Sequence, residues 1–243
     1  MSAKKIRRTG QQSWTVLFFA MAGLNSTQLS ELQAQADYKR YFDEDKLPEV
    51  RNFFQSGRYD IVIQICDYAL RRGQPSWEWR TLRFESLANT GRYEEAIEEA
   101  LASSEQYPDQ LGALLRAHEM FDSMGLQEES RSMFNAINKA AASVPTKDRT
   151  ALDYVYLGKA ALVLGADPAG VLEKYYGVAK NFEARGENIP EGLLEAYLAS
   201  GELALLKDDY ERAGKEFPEA YKLSTNHPEV VYGLARAFMP SAR

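Results

Sequence analysis

Apolar and polar positions alternate along most of the chain with the period of an α-helix. From about residue 40 onward, apolar side chains recur three or four positions apart, in segments separated by short polar or glycine-containing stretches. This spacing places the apolar side chains on one face of a helix. The only β-rich run, DIVIQIC at 60–66, falls inside one of these segments. The pattern therefore predicts a chain of amphipathic helices without strands.

Three glycines divide these helical segments at a constant interval. Gly57, Gly91 and Gly125 follow one another at a spacing of 34 residues, and the first two begin the related sequences GRYD and GRYE. Each glycine follows one apolar segment and precedes another. A glycine at such a junction can adopt the left-handed backbone conformation that ends a helix. The spacing predicts a repeated helix–turn–helix unit in which the glycine supplies the turn.

A helical hairpin of 34 residues resembles the tetratricopeptide repeat. That family prefers a small residue where the two helices of a hairpin touch most closely, and the equivalent positions here hold Val62, Ala96 and Ser130. The family also ends its second helix with a proline, which cannot continue a helix. Pro108 stands at that position in the second unit.

Two further units follow with looser spacing. In the fourth, Gly158 takes the family's small position in the first helix and Gly165 is the turn, after which Asp167 is predicted to be an N-cap with Pro168 as the first helical residue. In the fifth, Gly201 takes the small position and Asp208 replaces the turn glycine.

The fifth unit also contains a proline in an unexpected place. Pro218 falls inside the predicted second helix, and a proline there removes a backbone hydrogen bond and crowds the preceding turn. We therefore expect this helix to be kinked or shortened.

The resemblance implies an all-α fold: a right-handed superhelical solenoid of about five tetratricopeptide-like repeats plus a terminal helix, over residues 37–243. One hairpin is too small to bury its own apolar face, so neighbouring hairpins must stack to form a core. The units implied are 43–76, 77–110, 111–145, 151–189, 194–227 and a partial unit at 228–243.

The first 36 residues differ from the rest of the chain. A basic start, KKIRR, is followed by the apolar run WTVLFFAMAGL at 14–24 and by small residues at 34–36. These are the three parts of a secretory signal peptide, and the apolar run is shorter than the ~20 residues of a transmembrane helix. We expect 1–36 to be a signal peptide that exports the protein to the periplasm or cell envelope. The alternative is an apolar N-terminal arm on a cytoplasmic protein, touching a membrane only through this segment.

Composition and motifs argue against catalysis. The formal net charge is −6, so attraction to nucleic acid is not expected. Cys66 is the only cysteine, on an apolar stretch typical of a buried side chain. His118 occupies a packing position and is expected to be half-buried, whereas His227 is expected in an exposed loop. No phosphate-binding, zinc or serine-nucleophile motif is found. We predict no catalytic residues, no metal and no cofactor.

The resemblance also implies a binding face. First helices of successive tetratricopeptide repeats line a concave surface that can hold an extended peptide through hydrogen bonds and charge pairs. Asp122 and Glu202 fall on this face. The candidate partner-binding residues are Arg51, Glu85, Asn89, Arg116, Glu119, Tyr156 and Lys159.

Two functions fit these observations. The first is a non-catalytic scaffold that binds a protein or peptide partner on its concave face. The alternative is the N-terminal repeat region of a longer secreted protein with a downstream, peptidase-like enzymatic domain, which the apolar stripe of VVYGLARAF at 230–238 favours because no second helix follows to cover it.

Overall fold

The computed structural model describes residues 40–41, 43–73, 76–147, 149–182 and 190–239. The predicted signal segment, 1–36, lies outside these ranges. Within them the fold is all-α, as the periodicity predicts, with eleven helices and no strands. A short 3₁₀ turn, Glu44–Lys46, precedes the first helix. The helices are α1 Leu47–Gln55, α2 Tyr59–Arg71, α3 Trp77–Asn89, α4 Tyr93–Gln106, α5 Leu111–Ser123, α6 Gln127–Ser143, α7 Ala151–Val163, α8 Pro168–Lys180, α9 Pro190–Leu206, α10 Tyr210–Leu223 and α11 Pro228–Phe238.

Helix α8 is not regular. It begins as an α-helix at Pro168–Val171, widens to a π-helix at Leu172–Tyr176 and returns to an α-helix at Gly177–Lys180. Its start is as predicted, because the Asp167 carboxylate accepts a hydrogen bond of 2.9 Å from the backbone N–H of Gly170. The β-rich run at 60–66 belongs to α2, which begins at Tyr59.

The predicted turn residues lie between helices and have left-handed backbone conformations. Gly57, Gly91, Gly125 and Gly165 have φ angles of 74°, 79°, 72° and 86°, and Asp208 has a φ of 56°. Only glycine enters this region without a steric cost from its side chain. The regular glycine spacing therefore marks the turns between α1 and α2, α3 and α4, and α5 and α6.

Replacing Asp208 with glycine is expected to raise the free energy of unfolding by about 0.5–1 kcal/mol. The left-handed φ of Asp208 has a steric cost for a residue with a Cβ, whereas glycine adopts this φ freely. The reverse change, Gly91→Ala, is expected to cost about 1 kcal/mol. A Cβ at position 91 would meet no atom within 4 Å, so only backbone strain is tested there. Urea denaturation measures both changes. If Asp208→Gly instead lowers the free energy of unfolding, the left-handed φ of Asp208 does not destabilise the folded protein.

The helices pack in chain order. Consecutive helices contact each other, and α1, α3, α5, α7, α9 and α11 also form a row in which each contacts the next. The buried apolar side chains accordingly fall into four clusters that follow the chain. The predicted small positions lie where helices meet, because Val62, Ala96 and Ser130 are all buried.

Two glycines allow large aromatic rings to reach the helix backbone. A Cβ on Gly158 in α7 would overlap the ring of Tyr176 in α8, and a Cβ on Gly201 in α9 would lie 2.8 Å from the ring of Phe217 in α10. Both rings are almost completely buried. Close packing of this kind leaves no room for a larger residue at either glycine.

The structure contradicts one expectation from the sequence and part of another. Helix α10 continues through Pro218 to Leu223 without being shortened, because Phe217 and Ala220, buried on either side of the proline, hold it against its neighbours. His227 is buried, with 7% of its surface exposed, instead of lying in an exposed loop. It immediately precedes α11.

The last helix is covered on one side only. Val230 and Ala237 of α11 are buried, whereas Val231, Tyr232 and Phe238 are 48%, 66% and 64% exposed. Phe217 packs so closely on α11 that a Cβ on Gly233 would overlap its ring. In the ranges given above, no helix is long and apolar enough to cross a membrane.

Candidate functional site

Four of the predicted partner-binding residues meet in one chain of charges across α3, α5 and α7. The Nε atom of Arg116 lies 3.8 Å from Oε1 of Glu85, and its Nη1 atom lies 3.6 Å from Oε2 of Glu119. The Nζ atom of Lys159 lies 3.8 Å from Oε1 of Glu119. The side chains keep between 17% and 46% of their surface exposed. Residues from three successive hairpins therefore share one partly hydrated surface.

The pKa of Glu85 shows how many charges surround it. Burial raises this pKa to about 7; Arg116 opposes the rise, and the carboxylates of Glu119 and Glu229 add to it. Lys159 also opposes it. Near neutral pH the carboxyl group is therefore protonated part of the time, although a cation lies beside it.

Glu202 in α9 has a similar environment. Surrounding protein raises its pKa to about 7; Lys159 opposes the rise, and Glu229, Glu119 and Glu195 add to it. The residue itself is exposed to solvent, so this rise is weaker support for a desolvated site than that of Glu85. The surrounding protein nevertheless displaces bulk water near the carboxyl group of Glu202, and this loss of hydration disfavours its ionised form. We call the residues that act on one another here the charged cluster: Glu85, Arg116, Glu119, Lys159, Glu195, Glu202 and Glu229.

The influences on the pKa of Glu85 extend along the row of helices. Glu229 in α11 adds to the rise in the pKa of Glu85 in α3, although α5, α7 and α9 stand between these two helices in the row. Charges act on one another through space without a direct contact.

An aromatic pair joins two of the same helices. The rings of Trp77 in α3 and Tyr156 in α7 meet edge to face with centroids 6.5 Å apart. They cover Gly112 in α5, where a Cβ would lie 2.8 Å from Trp77 and 2.9 Å from Tyr156. Both rings are half-exposed. The absence of a side chain at Gly112 allows residues from the second and fourth hairpins to touch over the third.

Several ion pairs between neighbouring helices are much tighter. Arg83 in α3 binds Asp67 in α2 at 2.7 Å and Glu99 in α4 at 2.8 Å. Lys180 in α8 binds Glu216 in α10 at 2.6 Å. These short, charge-assisted hydrogen bonds join helices that are neighbours in the fold. The pairs of the charged cluster, at 3.6–3.8 Å, are longer than hydrogen bonds, so its carboxylates keep acceptor capacity for another molecule.

The remaining predicted site residues have different surroundings. The side-chain amide of Asn89 donates a hydrogen bond of 2.8 Å to the backbone oxygen of Glu85, one turn earlier in α3. Arg51 lies in α1, at the start of the row, and is half-exposed. It is not among the largest influences on the pKa of Glu85 or Glu202.

Sequence reasoning did not select Trp77, Glu195 and Glu229. A signal existed for Glu195, which falls on the same face of its first helix as Glu202, seven residues and about two turns away. Glu229 belongs to the partial sixth unit, whose face was not assigned. Nothing in the sequence indicates that Trp77 and Tyr156 would meet.

His118 and Cys66, whose residue types are often used in catalysis, lie where they contact or pack against neighbouring helices. The Nδ1 atom of His118 is 3.1 Å from the hydroxyl oxygen of Ser130, joining α5 to α6, and the ring is half-buried as predicted. Cys66 is fully buried, which raises the pKa of its thiol. Among the residues that the structure describes, no group of histidine, cysteine, aspartate and glutamate side chains could hold a metal ion.

The sequence matches no family model, and no curated protein matches it at a significant level.

Proposed function

We propose that this protein is a non-catalytic scaffold of the tetratricopeptide-repeat type, which binds an extended segment of a partner protein. In this proposal the helix pairs form a right-handed superhelical solenoid, and the partner lies in the groove between α3 and α11 that the charged cluster lines. Three features support the architecture: the left-handed turn residues, the row of odd-numbered helices and the four clusters that follow the chain.

The observation that carries the binding role is the loose pairing of the charged cluster. An ion pair stabilises a fold most when it is short and hydrogen-bonded, as the pairs formed by Arg83 and by Lys180 are. Arg116 and Lys159 are instead held at 3.6–3.8 Å from glutamates on a partly hydrated surface. Charged side chains arranged in this way on rigid helices can exchange their loose contacts for hydrogen bonds to a ligand.

The non-catalytic part of the proposal rests on what the histidines do. His118 contacts Ser130 between two helices, and His227 is buried at the start of α11. Neither belongs to the charged cluster. The basic and apolar N-terminal segment supports a location in the periplasm or cell envelope, where a partner would be met.

Photo-crosslinking tests the binding face. The photoreactive residue p-benzoylphenylalanine replaces Asn89 or Asp122, which are exposed on α3 and α5, one turn from Glu85 and from Glu119. We expect irradiation of cells producing either variant to yield a discrete adduct of higher mass. Mass spectrometry of the adduct identifies the partner.

The matched controls carry the same photoreactive residue on second helices. Tyr93 in α4 and Tyr221 in α10 are 56% and 42% exposed, and each replacement there exchanges one aromatic residue for another. We expect these positions to give no adduct with that partner. The same adducts from both faces, or none from Asn89 and Asp122, would refute the proposed groove.

A further inference from the structure

The last helix has an exposed apolar face as well as a buried one. Val230 and Ala237 lie on the buried face, which packs on α9 and α10. The opposite face has four large apolar side chains that are between 48% and 66% exposed, with an exposed alanine among them. The backbone N–H of Met239 donates to the oxygen of Ala235, so the helical spacing continues to Met239. We call these five residues the outer stripe: Val231, Tyr232, Ala235, Phe238 and Met239.

The preceding first helix shows what a face of this kind contacts. Tyr232, Phe238 and Met239 each stand 34 residues after a residue of α9, and 34 residues is also the interval between the turn glycines. These residues of α9 are buried in the cluster that α9 shares with α10 and α11: Leu198, Ala204 and Leu205. The outer stripe therefore repeats, in an exposed form, a face that in α9 packs against the helices that follow.

The centre of the outer stripe has the small residue that a close contact between helices requires. Ala235 stands 34 residues after Gly201, where the ring of Phe217 in α10 lies so close to α9 that a Cβ would be 2.8 Å from it. Only the short turn at 207–209 joins α9 to α10, so these two packed helices are antiparallel. The outer stripe is therefore expected to accept an antiparallel helix whose large side chains lie beside Ala235.

We propose that the outer stripe packs against the outer stripe of a second copy of this chain and forms a two-fold symmetric dimer. The order of residues along the stripe has the required symmetry. Tyr232 and Phe238 lie three positions before and after Ala235, and Val231 and Met239 lie four positions before and after it. A two-fold axis at Ala235 makes the two helices antiparallel and sets Tyr232 of each copy against Phe238 of the other. The dimer adds a contact between copies to the proposed function and does not depend on it.

The exposed area agrees with a reversible dimer. A large apolar side chain that is about half exposed leaves on the order of 100 Å² in contact with water. Four such side chains from each copy bury at least about 800 Å² in total, which is at the lower end for a specific interface. We therefore expect a dissociation constant on the order of 10 µM. Urea denaturation at about 1 µM then reports mainly the monomer.

A head-to-tail chain of copies fits the surface less well. It would place the outer stripe on α1 or α2 of the next copy, because these helices form the other end of the row. Among the described residues, the most exposed large apolar side chains all lie at Tyr93 or beyond it in the chain, and none belongs to α1 or α2. The best apolar counterpart of the outer stripe is a second outer stripe.

Sedimentation equilibrium of the purified full chain measures the association. We expect the mean mass to rise from that of one chain, 27.4 kDa, toward twice this value as the concentration passes through the dissociation constant. The mass of one chain at concentrations up to about 100 µM, tenfold above the expected constant, would overturn the dimer.

The variant Tyr232→Glu places a charge within the proposed contact. A carboxylate held against apolar side chains of a second copy loses its hydration, so we expect the dissociation constant to rise at least about a hundredfold. The matched control is Tyr93→Glu, the same change at a 56% exposed position of α4, which should dimerise like the wild type. Both variants keep the apolar run at 14–24, so association through that segment would be equal in the two.

A cysteine at the two-fold axis tests the symmetry of the contact. In the variant Ala235→Cys the new thiol of each copy faces its own counterpart, whereas the natural Cys66 is completely buried. We expect mild oxidation to convert most of this variant into a disulfide-linked dimer on a non-reducing gel. The control Ala102→Cys, at an exposed position of α4, should remain a single chain.

Two further results would overturn the symmetric dimer. Equal dissociation constants for the wild type and Tyr232→Glu would show that the copies meet at a different surface. Association that Tyr232→Glu abolishes, without a disulfide-linked dimer in Ala235→Cys, would show that the outer stripe contacts another part of the second copy.

Discussion

Replacement of Phe217 with alanine is expected to lower the free energy of unfolding by about 3–5 kcal/mol, the range for removing a large buried aromatic side chain. Phe217 in α10 has none of its surface exposed. Its ring lies between Gly201 of α9 and Gly233 of α11, at positions where a Cβ would be too close. Because neither glycine has a side chain that can move into the space, the cavity should remain open and the cost should be near the upper end.

A matched aromatic residue on α11 provides the control. Phe238 is 64% exposed, so Phe238→Ala should change the free energy of unfolding by no more than about 0.5 kcal/mol. Urea denaturation followed by circular dichroism measures both variants. If both changes cost the same, the packing of α9, α10 and α11 around Phe217 is not as the structure has it.

The second large expected effect is a loss of stability as the pH rises from 5 to 8. The pKa of Glu85 is raised in the folded protein from an ordinary 4.5 to about 7, so the folded state binds this proton more tightly than the unfolded state. Its contribution to stability is therefore full below pH 4.5 and is lost as the pH rises through 7. A rise of this size corresponds to at most about 3.5 kcal/mol, since one pKa unit is about 1.4 kcal/mol. Glu202 contributes in the same direction.

The variant Glu85→Gln isolates this contribution from every other titrating group. Glutamine cannot ionise, so the variant should lose less stability than the wild type between pH 5 and pH 8, by about 2–3 kcal/mol in urea denaturation. Glu98→Gln, at an exposed position of α4, should follow the wild type. An unchanged pH dependence in Glu85→Gln would mean that the carboxyl of Glu85 is solvated like that of an exposed glutamate.

The helices and turns could be predicted because their causes are local. A left-handed φ is required where one helix ends and the next begins closely, and the glycines at 57, 91 and 125 and Asp208 meet that need within a few residues. The length of the helix at Pro218 and the exposure of His227 were misjudged because tertiary packing decides both. Phe217 and Ala220 are buried on either side of the proline in a helix that continues to Leu223, and His227 is buried.

The candidate site was predicted in its residue types but not in its geometry. Helical spacing selected Glu85, Arg116, Glu119 and Lys159 on one face of successive helices, and the structure brings these four together. The sequence could not show that Trp77 would reach Tyr156 over Gly112, because that contact joins hairpins that are not adjacent in the chain.

The sequence by itself determined that this protein is a succession of helical pairs, because hydrophobic period and turn chemistry act over a few residues. Only the tertiary structure decided that Glu85, Arg116, Glu119 and Lys159 meet across three helices and that the pKa values of Glu85 and Glu202 rise to about 7. Burial and charge act through space, so the ionisation of Glu85 depends on Glu229, which is remote in the chain.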